Sequence, residues 1–315
     1  MTAGRYLVLA GGLSHERDVS LRSGRRVLDA LRAVGVDATL RDADASLLSH
    51  LADTHYDAVL VALHGGAGED GALREVLDVA GVPYVGSTPP ACRMAWDKPT
   101  AKALLLRAGL TTPASVVLPH AAFRELGAAA VLDRLVGHLG LPLMVKPARG
   151  GSALGCTTVD KPDELPSAMV SCFSYGEAAL VERFVTGTEV AVTVIDTGDG
   201  PRALPAVEVV PLSGVYDYSA RYTAGQAEFF CPSRLPEQQA AVVAEAAEAA
   251  HTALGLRDLS RVDAVVDTDG VVHLLEVNTA PGMTETSLLP MAVKAAGLSF
   301  GGLLRDLLVR AAARR

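Results

Sequence analysis

Aromatic residues are scarce, making up 4% of the 315 residues with a single Trp. Large rings therefore cannot dominate the core. Half of the residues are hydrophobic, and Ala, Val, Leu and Gly fill the space, a mixture suited to layered α/β packing. Cysteine is also rare. Cys92, Cys156, Cys172 and Cys231 form no CxxC pair and no zinc spacing, as expected of buried, inert thiols in a reducing cytosol. No block of Lys or Arg occurs apart from Arg314-Arg315, and the formal net charge of -8 argues against non-specific nucleic-acid binding. No uncharged apolar run reaches transmembrane length, and residues 1–10 lack the basic start, apolar run and cleavage site of a signal peptide. The expectation is a cytoplasmic protein without membrane or nucleic-acid partners. The GxSxG elbow, HExxH, the P-loop pattern GxxxxGK(S/T) and the dinucleotide pattern GxGxxG are all missing. Serine-hydrolase, zinc-hydrolase and NAD readings have little support.

What is present begins with alternation. Residues 5–10, 57–63 and 82–86 read as strands, with helices at 19–34 and 69–80 between them, a βαβ pattern that implies a parallel sheet. After the break at 88–90, a helix over 98–108 opens a second region, 96–185, with strands at 141–146 and 179–184. A third region, 186–315, holds strands at 189–195 and 203–209, a helix at 236–254, two further strands and two closing helices. Residues 211–232 show no clear structure; a connection of that length in a compact domain suggests a functional loop or lid. By length the chain is two or three domains.

The most informative stretch is Ser260-Arg261-Val262-Asp263 with Leu275-Glu276-Val277-Asn278. Strand side chains alternate, so Arg261 and Asp263 share one face, as do Glu276 and Asn278. If the two strands are neighbours, two carboxylates, an amide oxygen and a guanidinium form one cluster. That set suits Mg²⁺ holding phosphate, with Arg beside developing negative charge; a surface salt-bridge cluster would read the same way. Gly150, Gly151 and Gly155 around Ser152 let a backbone cradle a phosphate, or make an ordinary flexible turn. Lys146, inside the apolar run Leu-Met-Val-Lys-Pro, needs either an anionic partner or a path to solvent. Lys98 opens a helix. Glu182 and Glu189 flank a Thr186-Gly187 turn, where a carboxylate can hold a ribose. His64 ends a parallel-type strand, where ligands collect in open α/β sheets. Gly11-Gly12 with Glu16 before a helix can receive an anion on the helix N-terminus and an ammonium on the carboxylate.

In order and spacing these motifs resemble the D-alanine–D-alanine ligases of the ATP-grasp superfamily over nearly the whole chain. The resemblance rests on Gly11-Gly12 with Ser14-His15-Glu16, Leu63-His64-Gly65 with Gly68-Glu69-Asp70-Gly71, and Pro83-Tyr84-Val85-Gly86-Ser87. Asp97-Lys98, Val145-Lys146-Pro147-Ala148-Arg149 with Gly151-Ser152, Tyr216-Asp217-Tyr218 with Tyr222, and Cys231-Pro232 continue it. Arg261-Val262-Asp263 and the run from Glu276 to Thr284, with Ser287, complete it. It implies an α/β, three-domain ATP-grasp ligase. An N-terminal parallel-sheet (Rossmann-like) substrate-binding domain spans 1–95. A central domain at 96–185 and a catalytic domain at 186–315, with lid loop 211–232, are both α+β and grip ATP. It also implies a homodimer.

The reaction implied is ATP-dependent joining of two D-alanines through a D-alanyl phosphate, for peptidoglycan precursors. A related ligase for a different pair (D-Ala-D-Ser, D-Ala-D-Lac or another amino-acid pair) is the alternative. By the resemblance, Lys98 and Lys146 contact ATP phosphates, with Gly151 in the cradle, and Glu182 and Glu189 hold the nucleoside. Asp263, Glu276 and Asn278 match ligands of two Mg²⁺ ions, with Mn²⁺ a possible substitute. Arg261 and the Gly282 N–H match oxyanion donors, and Glu16 matches the receiver of the first ammonium. Ser152 and Tyr222 match its partners in closing the lid, and Ser287 matches a group on the second carboxylate. His64 is expected to bind substrate. Two residues depart from the usual pattern. Arg221 stands where a lysine commonly precedes the lid tyrosine, keeping charge but not shape. Ala153-Leu154 stands where Ser-Val is common.

Overall fold

Apolar runs alternating with amphipathic helices build the first sheet. In a computed structural model, which describes residues 4–212, 214–216, 221, 223 and 225–314, β1 (Arg5–Ala10), β2 (Asp37–Asp42), β3 (Ala58–Val61) and β4 (Tyr84–Val85) are ordered β2-β1-β3-β4, all parallel. Both faces are covered, as parallel sheets require. Leu7 and Leu9 pack towards α2 (Leu47–Asp53) and α3 (Ala72–Val79) through Leu47, Leu73 and Leu77. Tyr6 and Val8 face α1 (Arg17–Ala33), whose Val27, Leu28 and Leu31 recur at helical spacing, and also the C-terminal helix through Leu304, Leu307 and Leu308. The end of the chain thus closes over its beginning.

After α4 (Pro89–Trp96) and α5 (Lys98–Arg107), β5 (Ser115–Pro119), β6 (Leu143–Pro147), β7 (Thr157–Val159) and β8 (Ala178–Arg183) form an antiparallel sheet ordered β5-β8-β6-β7. Its core joins Leu143, Val145 and Val181 to Leu135 of α7 (Ala128–Leu139) and Cys172 of α8 (Leu165–Phe173), with Phe123 of α6 (His120–Leu126) at the edge.

The third sheet contains β9 (Gly187–Ile195), β10 (Arg202–Ala203), β11 (Val207–Pro211), β12 (Ala227–Phe230), β13 (Leu259–Asp267) and β14 (Val272–Asn278). They are ordered β12-β11-β9-β13-β14, with β10 beside β9. Val192, Val262 and Val277 face a core shared with α5 and α9 (Glu237–Ala253). The other face is apolar at one end, where Ala191, Ile195 and Leu259 meet α10 (Leu288–Ala295) and α11 (Phe300–Ala312), and polar where that cover stops.

The parallel first sheet matches the sequence reading, and antiparallel sheets follow it. Two expectations need correcting. The strand expected over 203–209 is two strands, β10 and β11, separated at Pro205, which has no N–H to give to a ladder. Residues 211–232, expected to lack structure, contain β12, which pairs with β11 from Glu208↔Phe230 to Pro211↔Ala227. Elements β2, α2, β5, α6, α7, β7 and α8 were not expected, nor was α4, which starts at Pro89 inside the expected break at 88–90, its prolines sitting in the first turn where a missing N–H costs nothing.

Candidate active site

The polar end of the third sheet faces a cleft bordered by the other two sheets. In the β13–β14 ladder Arg261 lies opposite Asn278 and Asp263 opposite Glu276, with a register shift just beyond. The four side chains therefore share one face, as alternation requires, while Val262 and Val277 fill the core behind. The neighbouring β9 brings Glu189 to the same face, paired with Val265. Arg261 donates from Nε to Asp263 Oδ1 and from Nη2 to Oδ2, both at 2.7 Å, a bidentate pair with both residues buried. Opposite, Lys98 Nζ lies 3.8 Å from Glu276 and Arg221 Nη2 lies 4.0 Å from it. Burial opposes ionisation of Glu276, but Lys98, Arg221, Lys146 and Arg261 outweigh it and hold the carboxyl at about 2. Burial, with Asp263 and Glu276 nearby, instead pushes Glu189 up to about 7. Asp263 offsets Arg261 and Glu182 offsets Lys146, so Lys98 and Arg221 against Glu276 leave a small excess of positive charge suited to a polyphosphate.

The second sheet supplies the opposite wall. Lys98 is the first residue of α5, whose N-cap Asp97 accepts from Thr100 N–H; its own N–H donates to Ala148 O and its Nζ to Gly150 O at 2.6 Å. Lys146 on β6 sits diagonally across the ladder from Glu182 on β8, 2.6 Å from its carboxylate. Lys102, one turn after Lys98, contacts the other oxygen of Glu182. Glu182 is thus buried between two lysines and neutralises both, while it also lines the cavity where its contact with the nucleoside is expected. Lys102 was missed, although a lysine four residues after Lys98 on an otherwise apolar helix marks the same face.

The loop after β6 shows why it carries glycines. Ser152 and Ala153 both take left-handed φ, 54° and 56°, which costs L-residues about 1–2 kcal/mol each. Strain of this kind gathers at sites that hold ligands. Ser152 Oγ donates to Glu16 Oε1. Glu16, half-buried just before α1, lies against two glycines. A Cβ on Gly65 would strike its Oε2, and one on Gly151 would come within 3.3 Å of it. Gly65 also has φ +67°, and its N–H donates to Glu69 Oε1 at 2.9 Å. Glu69 is buried on the same cavity wall; burial and the charge of Glu16 raise its carboxyl to about 7.

Two adjoining cavities occupy the cleft. One is lined by Glu16, His64, Ser152, Arg261, Gly282 and Ser287, the other by Lys146, Glu182, Glu189, Asp263 and Phe184; Lys98, Gly151, Arg221 and Glu276 border both. Asn278 lines the first and accepts Ala280 N–H at 2.8 Å. His64 lines the first but gives both ring nitrogens to protein partners, so the substrate contact expected of it is not free to form through them. Tyr216 carries Arg221 over its ring at 4.5 Å. Tyr222, with Asp217 and Tyr218 of the same motif, lies outside the described residues.

Among the described residues no three His, Cys, Asp or Glu side chains form a self-contained metal cage. Asp263, Glu276 and Asn278 do fit a hard cation that shares its shell with phosphate oxygens. Magnesium is commonly held by one or two carboxylates plus phosphate, and each Asp263 oxygen keeps a lone pair beyond its bond to Arg261.

The family described as D-ala D-ala ligase C-terminus matches residues 104–309. The D-alanine--D-alanine ligase of Bordetella petrii is 42% identical over 311 residues, which cover 99% of this chain and 93% of that protein. The solved structure of the Bacillus anthracis D-alanine--D-alanine ligase complexed with ATP has a TM-score of 0.78 at 29% identity, covering 99% of this chain and 98% of that one. The VanG D-Ala:D-Ser ligase from Enterococcus faecalis has a TM-score of 0.85 at 28% identity, covering 98% of this chain and all of that one.

Proposed function

The chain belongs to the D-alanine–D-alanine ligase family, and from that premise we propose how its cleft joins two D-alanines with ATP to give D-alanyl-D-alanine, ADP and phosphate. The product serves peptidoglycan synthesis. The observation that carries the site assignment is the convergence of Lys98, Lys146, Arg221 and Arg261 on the ionised Glu276. A carboxylate is a poor acyl donor because oxide is a poor leaving group. Phosphorylation cures this: a carboxylate oxygen of the first D-alanine attacks the γ-phosphorus, and ADP leaves. Such a transfer needs mainly positioning and charge neutralisation, which Lys98 and Lys146 supply at the phosphates, with the Gly151 loop around them. Glu189, partly neutral at pH 7, suits a ribose hydroxyl. Arg221 reaches the phosphates from the segment opposite. Glu182 keeps Lys146 charged and placed.

Asp263, Glu276 and Asn278 would hold two Mg²⁺ ions, or Mn²⁺; when bound, they neutralise phosphate charge. Glu16, set by Ser152, receives the first substrate's ammonium, and Ser287 receives the second's carboxylate. The second amine, having lost a proton, then attacks the acyl carbon. Arg261 and the Gly282 N–H stabilise the oxyanion that forms, and phosphate departs as the peptide bond completes. Tyr222 is proposed to close with Ser152 over this step, excluding water that would hydrolyse the acyl phosphate.

The three sheets support the proposed division into 1–95, 96–185 and 186–315, and a lid is proposed at 211–232. No described helix is long and apolar enough to cross a membrane. Four free thiols support a reducing cytoplasm, and a homodimer is proposed from the family resemblance. The test is dipeptide formation and phosphate release with ATP, assayed over a panel of D- and L-amino acids, D-serine and D-lactate. D-alanine alone should give dipeptide; no dipeptide from D-alanine would overturn the reading.

A further inference from the structure

Gly282 lies in a loop that follows β14, and two residues of the first sheet's unit grip that loop on either side of it. His64, three residues beyond β3, is 4% exposed, and Ser23, in α1, is fully buried. His64 Nδ1 lies 2.9 Å from Ala280 O, and Nε2 lies 2.8 Å from Ser23 Oγ. Met283 N–H donates to Ser23 Oγ at 3.2 Å. The chemistry of the partners sets every proton. A carbonyl oxygen only accepts, so Nδ1 carries the hydrogen. On a neutral ring Nε2 then accepts, so the Ser23 hydroxyl donates to it, leaving a lone pair for Met283 N–H. Burial favours that neutral ring, against the pull of the Ala280 carbonyl and Glu16. With the ring neutral, this arrangement gives a partner to both His64 nitrogens, the Ser23 hydroxyl and the Met283 N–H.

We propose that Ser23 and His64 are positioning residues for the oxyanion donor: the Ser23–His64 relay pins Ala280 O and Met283 N and so orients the Gly282 peptide between them. This rests on the proposed role of Gly282 as that donor. Asn278 and Arg26 hold the outer ends of the loop, through Ala280 N–H and through Met283 O and Thr284 O. They do not hold the two peptide groups from the His64 side. The relay ties the first sheet's unit to the reaction centre at the atoms whose orientation decides oxyanion stabilisation, where a misplacement of about 1 Å can cost roughly 10²-fold in rate.

The experiment compares Ser23→Ala, His64→Asn and the double variant in steady-state assays with ATP and D-alanine, with circular dichroism to check folding. Asn places its amide nitrogen near the position of Nδ1, keeping the Ala280 bond while losing the Ser23 link. Each single variant should lower kcat by about 10- to 100-fold with KM for ATP within twofold. The double variant should fall no more than threefold below the weaker single, since both break one relay. Ser23→Cys, close in volume with a weak donor, should recover part of the loss; it and His64→Asn carry the test if Ser23→Ala does not fold. A Ser23→Ala kcat within twofold of the parent, a rise in KM for ATP equal to the fall in kcat, or independent losses that multiply in the double variant would overturn the relay. Absence of dipeptide from the unaltered protein would instead overturn the functional reading.

Discussion

Asp263→Asn alters one atom at the centre of the cleft, and its effect can be worked from the Arg261 pair. Two bonds of 2.7 Å join buried groups. The amide presents an NH₂ to a guanidinium that has only donors, so one charge-assisted bond is lost and a donor faces a donor. A bond to a charged group contributes about 1.5–3 kcal/mol, and the remaining bond no longer fixes the plane of the guanidinium. Arg261 is then no longer held in one plane at the site proposed for the oxyanion. Loss of one oxyanion donor costs roughly 2.7–4 kcal/mol, or about 10²–10³ in kcat. The same change removes a carboxylate from the proposed metal set, which adds to the fall. The assay is D-alanine-dependent phosphate release at saturating ATP, with ADP binding measured by calorimetry. The kcat should fall by at least about 10²-fold. A kcat within threefold of the parent would refute it.

Three further outcomes are expected. Lys102→Met leaves Glu182 to Lys146 alone, holding that lysine back from phosphate; KM for ATP should rise about tenfold, equivalent to 1.4 kcal/mol, more than kcat falls, in initial-rate measurements. Burial holds His251 below its ordinary value, against the pull of Asp196 and Asp258, so below pH ~6.5 the unfolded chain binds a proton that the folded chain refuses. Stability is therefore full above that pH and declines as pH falls, and His251→Leu should flatten the decline in urea unfolding between pH 7 and 5. Asp258, fully buried at φ 65°, accepts from Gly86 N–H and from both Nη atoms of Arg314. Asp258→Ala should cost about 3 kcal/mol, softened because Arg314 is partly exposed, and urea unfolding of the two proteins measures it.

The polar face of β13 and β14 was legible because it is local: a period of two along each strand is enough to group Arg261 with Asp263 and Glu276 with Asn278. The neighbouring of the two strands was an assumption that the ladder bears out. Lys146 was legible as a lysine inside an apolar run, and Lys98 as the residue that opens a helix. The occupation of Glu182 was not, because its partner Lys102 lies 80 residues away and nothing in the local pattern joins them. Ser23 was hidden for the same reason, a small residue on a helix that reads as ordinary packing until His64 and Met283 meet it. β12 was missed because its four residues follow a long run of turn-forming and polar residues. β10 and β11 were merged because residues 203–207 are all apolar and read as one run, although Pro205 within it marks the break. The first sheet was legible through its strand–helix alternation, except for β2, whose alternating charges, Asp37, Arg41 and Asp42, resemble a loop.

This cleft activates a carboxylate by phosphorylation and then captures it with an amine. Incubation with ATP and D-alanine labelled with ¹⁸O in its carboxylate tests this most directly, with mass spectrometry of phosphate and product. One labelled oxygen should pass to phosphate for each D-alanyl-D-alanine formed. Dipeptide accompanied by unlabelled phosphate would contradict it.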